Sequence, residues 1–275
     1  MILKYRVSFK DHQSRIDDFA YSQGISQKAL KDIKMKGDIL VDGIHQSVRY
    51  ILSEGETIEF IFPKEENNIT PVNIPLKIVY EDDYLLVIDK QKDLACIPTR
   101  SHPDYTLANA LSYYYKTIHL SSTIHLVNRL DKETSGLMIV AKYRYVHDLF
   151  TKDLDHIYRL YRAHVTGECK EGTINKPIQR KDKEMRRFID ESGKPSITHY
   201  KCINYENDIS YMHFRLETGR THQIRVHMSS IGHPLIGDTL YGEDNGVFDL
   251  DSYKVMFTHP ITKQLISIEK KDCKK

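Results

Sequence analysis

The sequence has no tryptophan, four cysteines, 13 glycines and 9 prolines among its 275 residues. This low content of glycine and proline excludes collagen-like and low-complexity chains. The cysteines show no CxxC pair, which argues against a disulfide scaffold and a structural zinc site and favours free thiols in a reducing cytoplasm. The sequence therefore indicates a cytoplasmic protein with these thiols: Cys96, Cys169, Cys202 and Cys273.

Long hydrophobic runs are also missing. No apolar stretch approaches the roughly 18 residues that a membrane helix needs, and the N-terminus enters charged sequence at Lys4 without a secretory apolar core. The 14 histidines are scattered without an HExxH pair, and no glycine-rich phosphate loop is present. We therefore predict no membrane association, no metal and no cofactor.

Neither sign of charge dominates. Lys and Arg number 40 and Asp and Glu 38, a formal net charge of +2, which argues against a generally cationic coat for nucleic acid. With 40% hydrophobic and 28% charged residues, the composition is that of a folded protein with one large or two smaller domains.

Residues 1–62 read as a small α/β module. Ile16 starts a helical pattern that stops near Gly24, and Ser26 is a good N-cap for a second helix that ends at Lys36. Strands are expected in 38–43 and 50–58, and this order of elements resembles the S4 RNA-binding domain. Equal numbers of basic and acidic side chains, nine each in 1–63, leave two readings of the lysines on the second helix. The lysines either contact RNA phosphates or form a solvated face. They are Lys28, Lys31 and Lys34.

The three prolines in 63–76 predict a linker, which leaves 77–269 as a second, larger domain and 270–275 as a tail. Strands and helices mix in 77–269 without a regular βαβ rhythm, so we predict an α+β fold with a mixed, largely antiparallel sheet and flanking helices. Strands are expected at 84–88, 137–141, 157–165 and 209–217, and helices at 105–116 and 145–154.

Three segments of this domain contain polar, charged or aromatic side chains that could form a functional site. In the first, a polar loop over 128–136 precedes a buried strand and would present Asp131 at the sheet edge, although Asp131 could instead cap a turn. The second, 220–234, has an apolar stripe typical of a short helix with Thr221 as its cap, and a buried Arg225 there would need a carboxylate partner. In the third, strand alternation places Tyr161 beside Arg159, as core or as a platform for stacking a base.

These segments resemble the motifs of the RluA-type pseudouridine synthases. The stretch 129–137, RLDKETSGL, is similar to the family's RLDxxTSGL. Similar stretches follow at 159–167, 193–200 and 218–242, so the resemblance covers about 76–269. Two positions depart from the pattern, since Asn128 stands where the family often has His and Gln91 where it has Pro.

The resemblance implies an isomerase that converts uridine in RNA to pseudouridine without a cofactor, most often in large-subunit ribosomal RNA and in some members in transfer RNA. Asp131 would be the nucleophile or general base, acting on base or sugar. Arg225 would pair with that carboxylate, and Tyr161 would lie against the base. A stacked uridine must be extruded for this chemistry.

The RNA contacts expected for such an enzyme are basic side chains near Asp131 and in the window 176–187, which carries six basic and two acidic residues. A solvated loop is the alternative for that window. The chain is expected to act as a monomer. Two other functions remain open, a non-catalytic RNA-binding protein and a hydrolase that pairs Asp131 with His222 or His227. The expected RNA-binding residues are Arg129, Arg180, Lys181, Lys183, Arg186, Arg187, Arg220 and His222.

Overall fold

The computed structural model describes residues 1–100, 103–152, 157–181, 184–244 and 246–271. They form two compact units. The smaller comprises Met1–Asn67 and Ser121–Thr123, and the larger Asn68–Leu120 and Ile124–Lys275. No helix among the described residues has the length and apolar character needed to cross a membrane.

The smaller unit packs two helices on a four-stranded antiparallel sheet with the order β1-β4-β2-β3. Both predicted helices are present, and the hydroxyl of Ser26 caps the second by accepting from the N–H of Ala29 at 3.2 Å. Ile16 and Phe19 are buried, at 0% and 3% exposure. The elements are β1 Ile2–Arg6, a 3-10 turn Phe9–Asp11, α1 Ile16–Ser22, α2 Gln27–Lys36, β2 Asp38–Val41, β3 Ile44–His45 and β4 Thr57–Ile61.

The larger unit contains three helices and twelve strands in its described part. The strands and helices predicted from apolar runs and alternation are all present, with ends that differ by a few residues. They are β5 Ile78–Glu81, β6 Leu85–Lys90, α3 Leu107–Thr117, β7 His125–Leu126, β8 Ser135–Ala141, α4 Arg144–Lys152, β9 Tyr158–Thr166, β10 Glu171–Asn175, β11 Ile178–Arg180, β12 Arg187–Ile189, β13 Ile197–Glu206, β14 Ile209–Leu216, α5 Gln223–Ser229, β15 Asp251–Thr258 and β16 Leu265–Glu269.

Most of these strands form one sheet with the order β10-β13-β14-β9-β15-β8-β6-β5, with β16 paired to β15 and β7 to β8. Its pairings are antiparallel except that of β15 with β8, where Asp251 lies opposite Ser135. Strands β11 and β12 form a separate two-stranded hairpin. The predicted α+β class with a mixed, largely antiparallel sheet is confirmed.

The core of the larger unit lies between this sheet and its helices. On β14, Met212, Phe214 and Leu216 face the core as alternation predicted. The stretch 63–76 has no helix or strand, but its second half packs: Ile74 is 3% exposed and belongs to the core cluster. The prolines prevent regular structure here, while Ile74 is buried and Val72 packs against the core, so 68–76 is part of the larger unit.

Candidate active site

A cleft of about 560 Å³ opens in the larger unit. Its walls come from the loop before β8, from β9, and from the segment between β14 and α5. The cleft brings together six of the residues singled out in the sequence, from positions up to 96 apart. They are Arg129, Asp131, Tyr161, Arg220, His222 and Arg225.

The loop that carries Asp131 is held by backbone contacts and by Ser135, and the carboxylate itself accepts from the backbone N–H of His222. The N–H of Thr134 donates to the backbone oxygen of Asp131 at 3.2 Å, and Ser135 donates from its N–H to the oxygen of Leu250 at 3.1 Å. The hydroxyl of Ser135 donates to Asp251 at 2.8 Å. Ser135 therefore ties the loop down, while the Asp131 carboxylate bonds to the backbone N–H of His222, at the start of α5.

Burial raises the pKa of Asp131 from 3.8 to about 6. The positive charge of Arg225 and the backbone N–H of His222 oppose this rise, whereas Glu133 adds to it. Desolvation disfavours the charged form and a nearby cation favours it. The result is a carboxylate that is ionised at neutral pH yet basic enough to take part in proton transfer or covalent chemistry.

Tyr161 lies in the wall of the cleft on β9 and is 6% exposed. Burial raises the pKa of its phenol, while Arg159 and a hydrogen bond with Ser252 work in the other direction. The phenol is therefore neutral under ordinary conditions. The predicted pairing of Tyr161 with Arg159 on one strand face is confirmed, since both side chains line the cleft.

Arg225 has a different partner from the one that the resemblance implied. Its Nε and Nη2 donate to the two carboxylate oxygens of Asp238 at 2.8 and 2.7 Å, and Nη1 lies 3.5 Å from Glu133. Among the described ion pairs none joins Arg225 to Asp131. The guanidinium fork is occupied by Asp238, so Arg225 acts on Asp131 through its charge.

The start of α5 also differs from expectation. Thr221 does not cap this helix; the N-cap is His222, in a left-handed conformation with φ 58° and without a side-chain cap bond. The buried Gln223 organises the turn instead. Its Oε1 accepts from the N–H of Arg220 at 3.0 Å and from the hydroxyl of Thr218 at 2.8 Å. The turn therefore places His222 and Arg220 at the cleft.

His222 does not supply the positive charge expected of an RNA contact. Burial and the positive charges of Arg225 and Arg187 lower its pKa to about 4, so the imidazole is neutral at pH 7. Arg129 and Arg220 remain as exposed cations at the cleft.

The other predicted RNA contacts lie outside the lining of the cleft. Arg180, Lys181 and Arg186 are exposed on the β11–β12 hairpin, where Arg187 is half-buried. Lys183 lies outside the described residues. In the smaller unit, the three lysines on α2 are all exposed: Lys28, Lys31 and Lys34.

Three buried polar residues that position the site were not assigned roles from the sequence. Asp238 holds Arg225, Gln223 shapes the turn, and Lys90 donates to the oxygens of Gln91, Leu94 and Lys132 at 2.9, 2.9 and 3.1 Å. Lys90 is only 2% exposed, so it joins the Asp131 loop to β6. The signal for Asp238 was available, because a buried arginine requires a carboxylate.

The cleft walls also contain buried polar atoms without a hydrogen-bond partner among the described residues: Asn128 Nδ2, Thr134 Oγ1 and Arg159 Nε. Buried polar groups are nearly always paired in proteins. Their concentration at one cleft is typical of a functional site.

Residues 84–230 match the family model described as RNA pseudouridylate synthase. The matched range contains the Asp131 loop, Tyr161 and Arg225. This chain belongs to the RNA pseudouridylate synthase family. It is therefore an RNA pseudouridine synthase, an enzyme rather than a non-catalytic RNA-binding protein or a hydrolase, and its substrate is RNA.

Bacterial relatives match this chain over most of its length. The chain is 40% identical to an uncharacterized RNA pseudouridine synthase of Bacillus subtilis, YjbO, over 90% of this chain and 92% of that protein. It is 44% identical to ribosomal large subunit pseudouridine synthase D of Haemophilus influenzae over 68% of this chain. The match spans 60% of the length of that enzyme.

Solved structures support the fold of the synthase. Human RNA pseudouridylate synthase domain containing 1 superposes with a TM-score of 0.59 at 26% identity, covering 72% of this chain and 84% of the human one. A second human protein, domain containing 4, gives the same TM-score at 19% identity over 72% and 89% of the two chains, and shows the fold alone.

Proposed function

We propose that this enzyme isomerises specific uridines in large-subunit ribosomal RNA, with Asp131 as the catalytic carboxylate acting on a flipped-out uridine. The observation that carries the proposal is the half-buried carboxyl of Asp131, with a pKa of about 6, in a cleft that also contains Tyr161 and Arg225. The choice of ribosomal RNA is supported by the relative that is named for the large ribosomal subunit.

The reaction breaks the bond between N1 of uracil and C1′ of ribose and forms a bond between C5 and C1′. The hydrogen on C5 leaves as a proton, and N1 gains one, so the isomerisation is balanced without an oxidant or a cofactor. The ionised Asp131 supplies the carboxylate for this exchange. Arg225 keeps it ionised inside the cleft, and the neutral Tyr161 lies against the base.

Unstacking a uridine costs a few kcal/mol, and the cleft volume of about 560 Å³ leaves room for a nucleotide. Arg129 and Arg220, both exposed at the cleft, are placed to bind the phosphates beside the extruded nucleotide. The exposed cations of the β11–β12 hairpin extend this basic surface along the RNA.

The test uses transcripts of large-subunit ribosomal RNA and a pool of transfer RNA transcripts, both labelled with tritium at C5 of uridine. We expect the wild type to release tritium from the ribosomal transcript and Asp131→Asn to release none. Release from the transfer RNA pool alone would assign the enzyme to transfer RNA, and release by Asp131→Asn would refute the role of Asp131.

We also propose that the enzyme acts as a monomer. Sedimentation of the purified protein at working concentration should give a single species of 32.2 kDa, and a species of twice that mass would refute the proposal.

A further inference from the structure

One buried side chain, Tyr241, contacts both the basic hairpin and the catalytic cleft. It lies after α5 and is 7% exposed. Its hydroxyl accepts from the N–H of Arg187 on β12 at 2.5 Å and lies 2.9 Å from Nδ1 of His222. Both distances are those of hydrogen bonds. Tyr241 therefore joins the hairpin to a residue of the cleft through one oxygen atom.

The ring of Tyr241 makes a second set of contacts. The guanidinium carbons of Arg225 and Arg186 each lie 5.3 Å from its centroid, within the range for a cation–π contact. The first of these arginines acts on Asp131, and the second is an exposed cation of the hairpin. The aromatic ring thus packs against Arg225 of the cleft and against Arg186 of the proposed RNA-binding surface.

The backbone of Tyr241 is also held by hydrogen bonds. Its N–H donates to Asp238 at 3.2 Å, and its oxygen accepts from the hydroxyl of Ser229 at 2.8 Å. Asp238 is the carboxylate that holds Arg225. The position of the Tyr241 ring is therefore set by the turn that also sets the position of Arg225.

We propose that Tyr241 is a positioning residue that aligns the basic β11–β12 hairpin with the catalytic cleft. RNA held by the hairpin would then present its uridine at the correct distance from Asp131. The proposal rests on the proposed function, because it takes the hairpin to be an RNA contact. It assigns the hydroxyl to the hairpin and the ring to Arg225, which makes the two roles separable by substitution.

The chain offers a matched control in Tyr253 on β15. This tyrosine is 8% exposed, its hydroxyl lies 3.1 Å from Nδ1 of His213, and Arg162 lies 5.4 Å from its ring centroid. It shares with Tyr241 the burial, a histidine partner and an arginine partner, but His213 and Arg162 do not line the cleft, whereas His222 and Arg225 do. Tyr253→Phe removes an equivalent hydroxyl from another part of the fold.

The experiment measures tritium release from the labelled ribosomal transcript by the wild type, Tyr241→Phe, Tyr253→Phe and a hairpin variant with Arg180→Gln, Lys181→Gln and Arg186→Gln. Tyr241→Phe should raise KM about tenfold, the effect of roughly one or two lost hydrogen bonds. Its kcat should stay within about threefold of wild type because the ring remains on Arg225. Tyr253→Phe should change KM by less than about twofold.

A double-mutant cycle separates positioning from a general loss of stability. If Tyr241 acts through the hairpin, adding Tyr241→Phe to the hairpin variant should raise KM by much less than tenfold. Multiplicative effects, a fall in kcat with KM unchanged, or equal effects of Tyr241→Phe and Tyr253→Phe would each overturn the proposal.

Failure of the proposed substrate is distinguishable from failure of this inference. If the wild type modifies only the transfer RNA pool, the same cycle is measured on that pool. If it modifies neither, the four variants are compared by their affinity for the ribosomal transcript. An affinity of Tyr241→Phe equal to that of wild type would then refute the role of Tyr241.

Discussion

The carboxyl of Asp131, in its proposed catalytic role, should make activity and stability depend on pH in opposite directions. Burial raises its folded pKa from 3.8 to about 6, so the folded protein binds this proton more tightly than the unfolded chain does. Stability from this group is fully present below about pH 4 and is lost as pH rises through about 6. The role proposed for Asp131 requires the ionised form, so activity should increase over the same range.

Asp131→Asn should accordingly be inactive but more stable than wild type at neutral pH. We expect a gain of about 1–3 kcal/mol in the free energy of unfolding at pH 7.5, which shrinks towards zero near pH 4. Urea unfolding at several pH values measures it. An inactive variant that is less stable at pH 7.5 would indicate that Asp131 supports the fold, and its inactivity would say nothing about chemistry.

The charge of Arg225 sets where the acid limb of the rate profile lies. Because this charge lowers the pKa of Asp131, Arg225→Met should move the limb of kcat/KM from about pH 6 to higher pH and lower activity more than RNA affinity. Rates and binding measured from pH 5 to 9 test this. Equal losses of activity and affinity, with an unmoved limb, would contradict the electrostatic role.

The pair of Arg225 and Asp238 predicts a non-additive effect on stability. Arg225→Met leaves the fully buried Asp238 carboxylate without its cation, at a cost of about 3–5 kcal/mol. Adding Asp238→Asn removes the unpaired charge, so the double variant should be more stable than Arg225→Met alone. Denaturant unfolding of both single variants and the double gives the coupling, and strict additivity would contradict it.

At the scale of elements, the junction of β8 with β15 determines where the Asp131 loop ends. Gly136 has φ +113°, and a Cβ there would lie 2.4 Å from the oxygen and 2.5 Å from the nitrogen of Ser252. These are backbone atoms of the neighbouring strand and cannot move away singly. The two strands can approach this closely only because position 136 carries no side chain.

Gly136→Ala should therefore both destabilise the protein and displace the loop. Gly232→Ala is the matched control, since Gly232 also has a positive φ, of +86°, but nothing lies within 4 Å of its added Cβ. The control should lose about 1–2 kcal/mol for its backbone conformation alone. Gly136→Ala should lose a further 1–3 kcal/mol or so from overpacking, and kcat should fall by about a hundredfold. Equal losses in the two variants would refute the steric argument.

The elements themselves could be predicted where a local pattern specifies them. Ser26 identified the start of α2, the apolar run over 137–141 identified β8, and alternation identified the core face of β14. The cap of α5 could not be predicted, because Gln223 fixes that turn through contacts with β13, a strand that is distant in sequence. The sheet order could not be predicted either, because no local sequence pattern indicates that β15 lies between β9 and β8.

The site was predictable as a set of residues and less so as a set of contacts. Asp131, Tyr161 and Arg225 lie in one cleft as motif resemblance implied. The burial that neutralises His222 and the carboxylate that holds Arg225 depend on the folded environment. A sequence gives the types of these side chains, but it does not give their solvent exposure or their nearest charges.

At the scale of the whole molecule, a net charge of +2 conceals two basic surfaces, one in each compact unit. If the exposed lysines of α2 contact phosphates, their replacement should reduce the salt dependence of RNA binding. We expect Lys28→Gln, Lys31→Gln and Lys34→Gln together to lower the slope of log affinity against log salt by about 2 to 3, with kcat unchanged.

The control for this triple variant removes the same charge from the larger unit, at three exposed lysines: Lys116, Lys152 and Lys201. Titrations of the ribosomal transcript at several salt concentrations compare the two. A slope that is the same in both variants would identify the α2 lysines as a solvated face.

The position of β15 in the sheet has a consequence for synthesis of the protein. This strand begins at Asp251, later in the sequence than β9 and β8, yet it joins those two strands in the middle of the sheet. A ribosome must therefore translate β15, Asp251–Thr258, before the two halves of the sheet can close around Asp131. Until then the nascent chain exposes two unpaired strand edges, which are surfaces prone to aggregation. The cleft is completed only after β15 has been made, so a product that stops before Asp251 should lack activity even though it contains Asp131, Tyr161 and Arg225.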